Sequence, residues 1–259
     1  MLFFTVASKK RLVILAVAAM VFISVFAVAF SGASALTASV TSKKLPIYSV
    51  GREESDKTIS ISFDAAWGNE DTQTLIDILA KYNIKATFFC VSQWVEKYPE
   101  SVKVLSDAGH EIMNHSSTHP HMSKLSKTQM ISEIEGCNDK IEAITGVRPM
   151  LFRAPYGEYN DMLIDTLTER GMYCIQWDVD SLDWKDPTPD KIAQRVTERV
   201  RPGSIVLFHN AAKNTPAALP TVIETLQAQG YRFVKISENI LKDDFYLDHE
   251  GRQWQNKKD

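Results

Sequence analysis

The chain reads as an α/β protein built as an incomplete (β/α)7 barrel, and three observations predict it. Seven short apolar or alternating runs are separated by helix-length amphipathic runs, the rhythm of parallel strands covered by helices. One run, 204–208, is almost continuously apolar, as expected of a strand with both faces covered. Asp64, His115, Arg153, Asp183 and His209 each follow, closely or within a few residues, the C-terminal end of a different strand. In a barrel these ends ring one mouth, whereas an open sheet would hold most of them too far apart to meet. Seven strands fall short of the eight that close such a barrel.

Residues 1–35 stand apart. Lys9, Lys10 and Arg11 precede an uncharged apolar run over 12–30, just long enough for a bilayer crossing of about 20 residues. The basic flank predicts a cytoplasmic N-terminus. Ala33-Ser34-Ala35 has the small-x-small form of a signal cleavage site. A retained single-pass anchor in the cell membrane and a protein secreted after cleavage at Ala35 are both readings of this segment. The run exceeds the ~7–15 residues of a signal core, which favours the anchor. Either way residue 36 onward lies outside the cytoplasm. Residues 36–57, polar with Pro46 and Gly51, read as a linker; 58–240 form the domain; 241–259 read as a polar, poorly ordered tail.

Within the domain, 59–63 alternates as a strand, and 71–82 is an amphipathic helix with Leu75, Ile76 and Leu79 as its stripe. A strand over 85–91 leads to a helix over 99–108 that Gly109 stops. A strand over 110–113 leads to a long helix over 127–145, opened by a Ser126/Gln129 capping box and closed by Gly146. A strand over 150–152 precedes a helix capped by Asn160. Strands over 172–175, 204–208 and 232–235 alternate with helices over 189–200, with proline in its first turn, and 216–229.

Formal net charge is −3, with no long basic or acidic block, so nucleic acid is not an expected partner. Without Lys9, Lys10 and Arg11 the exported part carries −6. Cys90, Cys137 and Cys174 form no CxxC pattern and read as buried unpaired thiols.

His115 and His119, four apart, would share one face of a helical turn and could share one metal ion. Alone the pair is a weak signal, and the other candidates have plain readings too. Asp64 could cap the next helix, Arg153 could be a surface ion pair, Asp183-Trp184 a turn, and His209 a core histidine. Their order along the chain changes this. Ser62-Phe63-Asp64, His115-Ser-Ser-Thr-His119, Arg153-Ala-Pro-Tyr-Gly157, Asp180-Ser-Leu-Asp183-Trp184 and Leu207-Phe-His209 resemble, in order, the five motifs of the NodB-homology polysaccharide deacetylases, carbohydrate esterase family four. The chain looks most like the PdaB-type sporulation deacetylases among them.

The resemblance implies a distorted, incomplete barrel of the NodB-homology type. It also implies removal of N-acetyl groups from amino sugars of a cell-wall glycan such as peptidoglycan or a chitin-like polymer, assisted by a divalent metal, zinc foremost. It makes Asp64 the general base, Arg153 the arginine that orients it, and His115 and His119 the metal-binding histidines. The backbone N–H of Tyr156 becomes an oxyanion donor. Asp183 tunes His209, the general acid, and Trp177, Trp184 and Leu207 wall the acetyl pocket. Elementary chemistry fits these roles, since amide hydrolysis needs an activated water and a proton for the leaving amine.

One position departs from the pattern. Where the family carries a second, metal-binding aspartate, this chain has Ala65. A catalytic zinc normally keeps three protein ligands. Three outcomes stay open: a third ligand from Asp64, Glu70 or Asp71, catalysis at low metal occupancy, or a glycan-binding envelope protein that has lost catalysis.

Overall fold

The structure, a computed structural model, describes residues 43–256. The apolar run over 12–30, and with it the anchor expectation, lies outside these residues. Among the described residues no helix is long and apolar enough to cross a membrane.

In chain order the elements are β1 (Ser49–Val50), β2 (Thr58–Ala65), α1 (Thr72–Lys81), β3 (Thr87–Cys90), α2 (Ser92–Lys97), α3 (Pro99–Asp107) and β4 (Glu111–Asn114). Then come α4 (Lys127–Thr145), β5 (Leu151–Phe152), α5 (Asp161–Thr168), β6 (Tyr173–Cys174) and β7 (Val179–Asp180). The chain continues through α6 (Pro189–Thr197), β8 (Ile205–His209), α7 (Thr215–Ala228), β9 (Arg232–Phe233), α8 (Ile236–Asn239), β10 (Phe245–Leu247) and β11 (Arg252–Gln255).

Seven parallel strands run in the order β6-β5-β4-β3-β2-β8-β7, a half-barrel, with β9 paired only to the start of β2. The expected barrel of seven strands is therefore present, with one exchange of members. The run over 232–235 contributes only the short β9 at the rim, and β7, which the sequence reading missed, takes the edge beside β8. Two residues between Asp178 and Ser181 carry too little apolar pattern to announce a strand.

β2 is central, buried along all eight residues. Its side chains alternate between a core beneath the helices and the polar residues Thr58, Ser60, Ser62 and Asp64 on the opposite face, as the period of two requires. Ile61, Phe63 and Ala65 join Phe88, Val206 and Phe208 in the larger core beneath α1, α3, α6 and α7. There the Phe63 ring lies 4.8 Å from that of Phe88 and 5.7 Å from that of Phe208. Phe89, Met113, Leu151 and Ile205 form a second core on the opposite face, inside the half-barrel. The caps are where the sequence puts them. Ser126 and Gln129 close a capping box, Gly146 ends α4 in the left-handed region at φ 72°, and the Asn160 side chain accepts from the N–H of Leu163 at 2.9 Å.

Two expectations are corrected. The linker expected over 36–57 is packed only in its middle: Lys43, Lys44 and residues 53–55 are exposed, but Ile47 and Val50 are buried in the inner core, and Ile47 bridges to Ile175 beside β6. The tail expected to be poorly ordered forms a second sheet, β1-β11-β10, in which β11 pairs with β1 in parallel. Buried Gln253 exchanges both side-chain hydrogen bonds with the backbone of Leu241. A polar glutamine carried into the interior by backbone pairing is invisible to a hydropathy pattern. The three cysteines are buried and unpaired.

Gly203 ties these pieces together. Its carbonyl accepts from the N–H of Val50 at 2.9 Å, and its N–H donates to Thr58 at 2.7 Å. Its φ is +85°, and a Cβ there would sit 1.7 Å from the Val50 carbonyl oxygen. Gly203→Ala is expected to cost about 3 kcal/mol or more, read as a shifted midpoint in denaturant unfolding.

Candidate active site

Parallel pairing sets Asp64, at the end of β2, opposite His209, at the end of β8. Both side chains reach a cleft of about 450 Å³ at the C-terminal ends of the strands. The same cleft is lined by His115, His119, Tyr156, Trp177, Trp184 and Leu207. Eight of the ten residues picked from the sequence thus share one cavity. The other two, Arg153 and Asp183, stand directly behind it.

Arg153 follows β5 and is fully buried. Its Nη1 donates to Asp64 Oδ1 at 2.7 Å and its Nη2 to the carbonyl of Gln176 at 3.1 Å. Its guanidinium lies 4.1 Å over the Phe89 ring and 5.5 Å from that of Trp177, a stacking that suits a planar cation. Burial pushes the Asp64 carboxyl up. The charge of Arg153, with smaller contributions from His115 and His209, outweighs burial and holds it below the ordinary aspartate value. Asp64 is therefore ionised at neutral pH.

Asp183, fully buried, is saturated with donors. Oδ1 accepts from the N–H of Trp184 at 2.9 Å and faces His209 Nδ1 at 2.8 Å. Oδ2 accepts from the His209 N–H at 2.8 Å and the Thr215 hydroxyl at 2.7 Å. A carboxylate can only accept, so Nδ1 of His209 carries the proton, and Nε2 is the nitrogen left for the cleft. Burial lowers the His209 pKa, but the Asp183 hydrogen bond and the charges of Asp64 and Asp183 raise it above the ordinary histidine value.

The two motif histidines are not on a helical turn. They lie on the loop after β4, with Ser116 at φ 71° and His119 at φ 58°, and their rings are 5.0 Å apart. The loop is pinned to α4. Glu133 accepts from the N–H groups of Ser117 and Thr118 at 2.9 and 2.8 Å, while Asn114 accepts from the N–H of Ser116 at 2.7 Å. Nδ1 of His115 faces the Arg153 carbonyl at 2.8 Å, which places the proton on Nδ1 and leaves the Nε2 lone pair 3.5 Å from Asp64 Oδ2. Burial lowers both imidazoles, His119 to about 4, so both are neutral at pH 7.

The donor set does not complete a three-ligand metal site. Among the described residues no three His, Cys, Asp or Glu side chains gather closely enough to hold an ion. Ala65 faces the outer apolar core. Asp64 is held by Arg153, Asp71 accepts from the N–H of Ala211 at 2.9 Å, and Glu70 curls against Gly68.

Sequence reasoning missed four contributors. Trp67 and Asp180 line the cleft. Gln176 ties the backbone of Gly157 at 3.1 Å beside Tyr156, whose own backbone is left-handed at φ 59°. Glu133 clamps the histidine loop. Trp67, next to the Asp64 motif, and Asp180, the first residue of the fourth motif, carried a local signal; Gln176 and Glu133 carried none.

Arg153→Met would strand a buried carboxylate. It is expected to destabilise the fold by about 3–5 kcal/mol, measured by denaturant unfolding, with Asp64→Asn on the same background recovering part of the loss. Because the folded His209 pKa is raised, its contribution to stability is full below the unfolded value and is lost as pH rises through the folded one. Asp183→Asn should lower the His209 pKa, read from the imidazole resonances in an NMR titration.

Comparison with known proteins agrees with the geometry. Residues 51–175 match the family model "Polysaccharide deacetylase". The chain is 35% identical over 199 residues to the Bacillus subtilis peptidoglycan-N-acetylmuramic acid deacetylase PdaC, covering 75% of this chain and 42% of PdaC. It is 30% identical over 196 residues to PdaA of the same organism, covering 74% of each. Against several curated relatives it thus spans about half their length. The solved structure of a carbohydrate esterase family 4 pseudoenzyme from Bacillus anthracis superposes with a TM-score of 0.71 at 37% identity, over 77% of this chain and 69% of that one. With five ordered motifs meeting at one cleft of a half-barrel, and a relative matched over most of both chains, this chain belongs to the polysaccharide deacetylase family, carbohydrate esterase family 4.

Proposed function

We propose that this protein is an extracytoplasmic polysaccharide deacetylase that removes N-acetyl groups from amino sugars of the cell-wall glycan, peptidoglycan foremost. One observation carries the reading: a carboxylate held ionised by a buried arginine and an imidazole backed by a buried carboxylate face the same cleft from adjacent strands. Asp64 takes a proton from the attacking water. His209, with Nδ1 fixed by Asp183, gives a proton from Nε2 to the departing amine. Trp177, Trp184 and Leu207 supply apolar surface for the acetyl group and sugar face, and the backbone N–H of Tyr156 is the candidate donor to the developing oxyanion. Export and anchoring rest on the basic-then-apolar segment over 9–30. The link to spore formation rests on the motif resemblance.

Ala65 favours a second reading, a catalytically silent glycan-binding protein of the envelope. A fold neighbour of this chain is itself described as a pseudoenzyme, and a mutant of it as having restored enzymatic activity.

Acetate release separates the two. The full chain, supplied with zinc or cobalt, should release acetate from a chitin oligomer or peptidoglycan, and His209→Ala should not. No release at any metal level leaves the binding reading. Ala65→Asp should lower the melting temperature without metal, since it buries an unpaired charge; tighter zinc binding in calorimetry, with zinc restoring the melt, would show that position 65 reaches the histidines. Zinc affinity unchanged from the wild type would show that the missing ligand does not belong at position 65.

A further inference from the structure

A second cavity, about 460 Å³, lies beside the cleft. Four cations line it, Lys185, Lys191, Arg195 and Arg199, against one carboxylate, Glu198. In a chain with 32 acidic and 29 basic residues, such a concentration of one sign is local, not a property of the whole surface. Unpaired cations normally find carboxylate partners where these are near. Here, among the described residues, none of the four makes a salt bridge, although fifteen lysine or arginine ion pairs form elsewhere. Glu198 is itself engaged by Gln194, whose amide donates to it at 2.7 Å. Arg195 is half-buried, and only its Nε is used, donating to the carbonyl of Asp180 at 2.6 Å. Both terminal nitrogens of that guanidinium remain for a planar anion.

The groove is joined to the cleft by one short piece of chain. Asp180 and Trp184 line the cleft, while Ser181, Leu182 and Lys185 line the groove. The Lys185 ammonium sits 4.7 Å over the Trp184 ring. The groove therefore adjoins the Trp184 side of the cleft through Lys185.

We propose that this groove is an anion subsite that takes the carboxylates of the peptide stem carried by the wall glycan. The assignment rests on the glycan reading given above. Its chemistry follows from position: of the anions a wall can present, the stem carboxylates travel with the sugar that occupies the cleft. Lys185 and Lys191 are flexible point charges suited to carboxylates at varied distance, and Arg195 supplies the fixed fork.

The test uses the full chain and a synthetic stem tetrapeptide with free carboxylates, titrated by calorimetry beside its fully amidated form. Wild type should bind the acidic peptide, more weakly as salt rises, and should not bind the amidated one. The surface double variant Lys191→Glu/Arg199→Glu should lose about tenfold or more in affinity, with its melting temperature unchanged. Lys191→Arg/Arg199→Lys should retain binding. Equal affinity for acidic and amidated peptides, or no effect of charge reversal, overturns the proposal. So does tighter binding of polyglycerol phosphate than of the tetrapeptide. The peptide contains no acetamide, and a chitin oligomer contains no carboxylate. Loss of peptide binding therefore counts against the groove alone, and absence of acetate release counts against the deacetylase alone.

Discussion

The register of β2 is the constraint on which the rest depends. Pairing Asp64 with His209 on one side and Phe89 on the other sends the even-numbered side chains inward and the odd-numbered ones to the helices. A slip of one residue would reverse every assignment. Phe63 would block the barrel interior, and Asp64 would be buried among Phe88, Leu75 and Val222 with no cation in reach. The central position of β2, paired along both edges, makes such a slip costly, so the geometry of the cleft is fixed by the same apolar contacts that hold the fold.

Two buried charge systems are set into that frame, and they are built differently. Asp64 answers a single arginine, and the attraction must outweigh the desolvation of both groups. Asp183 instead is surrounded by four donors from three places in the chain, so its charge is dispersed over hydrogen bonds from Trp184, His209 and Thr215. The first arrangement leaves Asp64 Oδ2 open to the cleft. The second leaves nothing of Asp183 open and passes its influence entirely through His209. One carboxylate is thereby available for proton transfer, and the other is confined to orienting an imidazole.

Much of this was legible in the sequence because it depends on local pattern. The capping box at Ser126, the stop at Gly146 and the cap at Asn160 are short-range chemistry, and each appears at the expected residue. The polar residues at the strand ends were legible because barrels gather such ends. What escaped depends on contacts distant in sequence. β7 exists because β8 offers it an edge, and β1 and β11 form by pairing residues about two hundred positions apart. The histidine spacing pointed to a helix, but Glu133 and Asn114 hold those residues on a left-handed loop. Glu133 carries no mark along a long amphipathic helix to separate it from its solvated neighbours. The vacancy left by Ala65 was visible as a substitution. Its apolar surroundings, which make the alanine a good fit where it stands, were not.

The buried thiols have a bearing on where such a fold can work. Cys90, Cys137 and Cys174 sit inside the packed layers, and desolvation drives all three upward in pKa, Cys137 and Cys174 to about 12. Oxidants and disulfide exchange act on the thiolate, a form these side chains hardly populate at neutral pH. The folded domain should therefore be indifferent to the redox poise of its surroundings, neither needing a crosslink to hold together nor offering sulfur for an unwanted one.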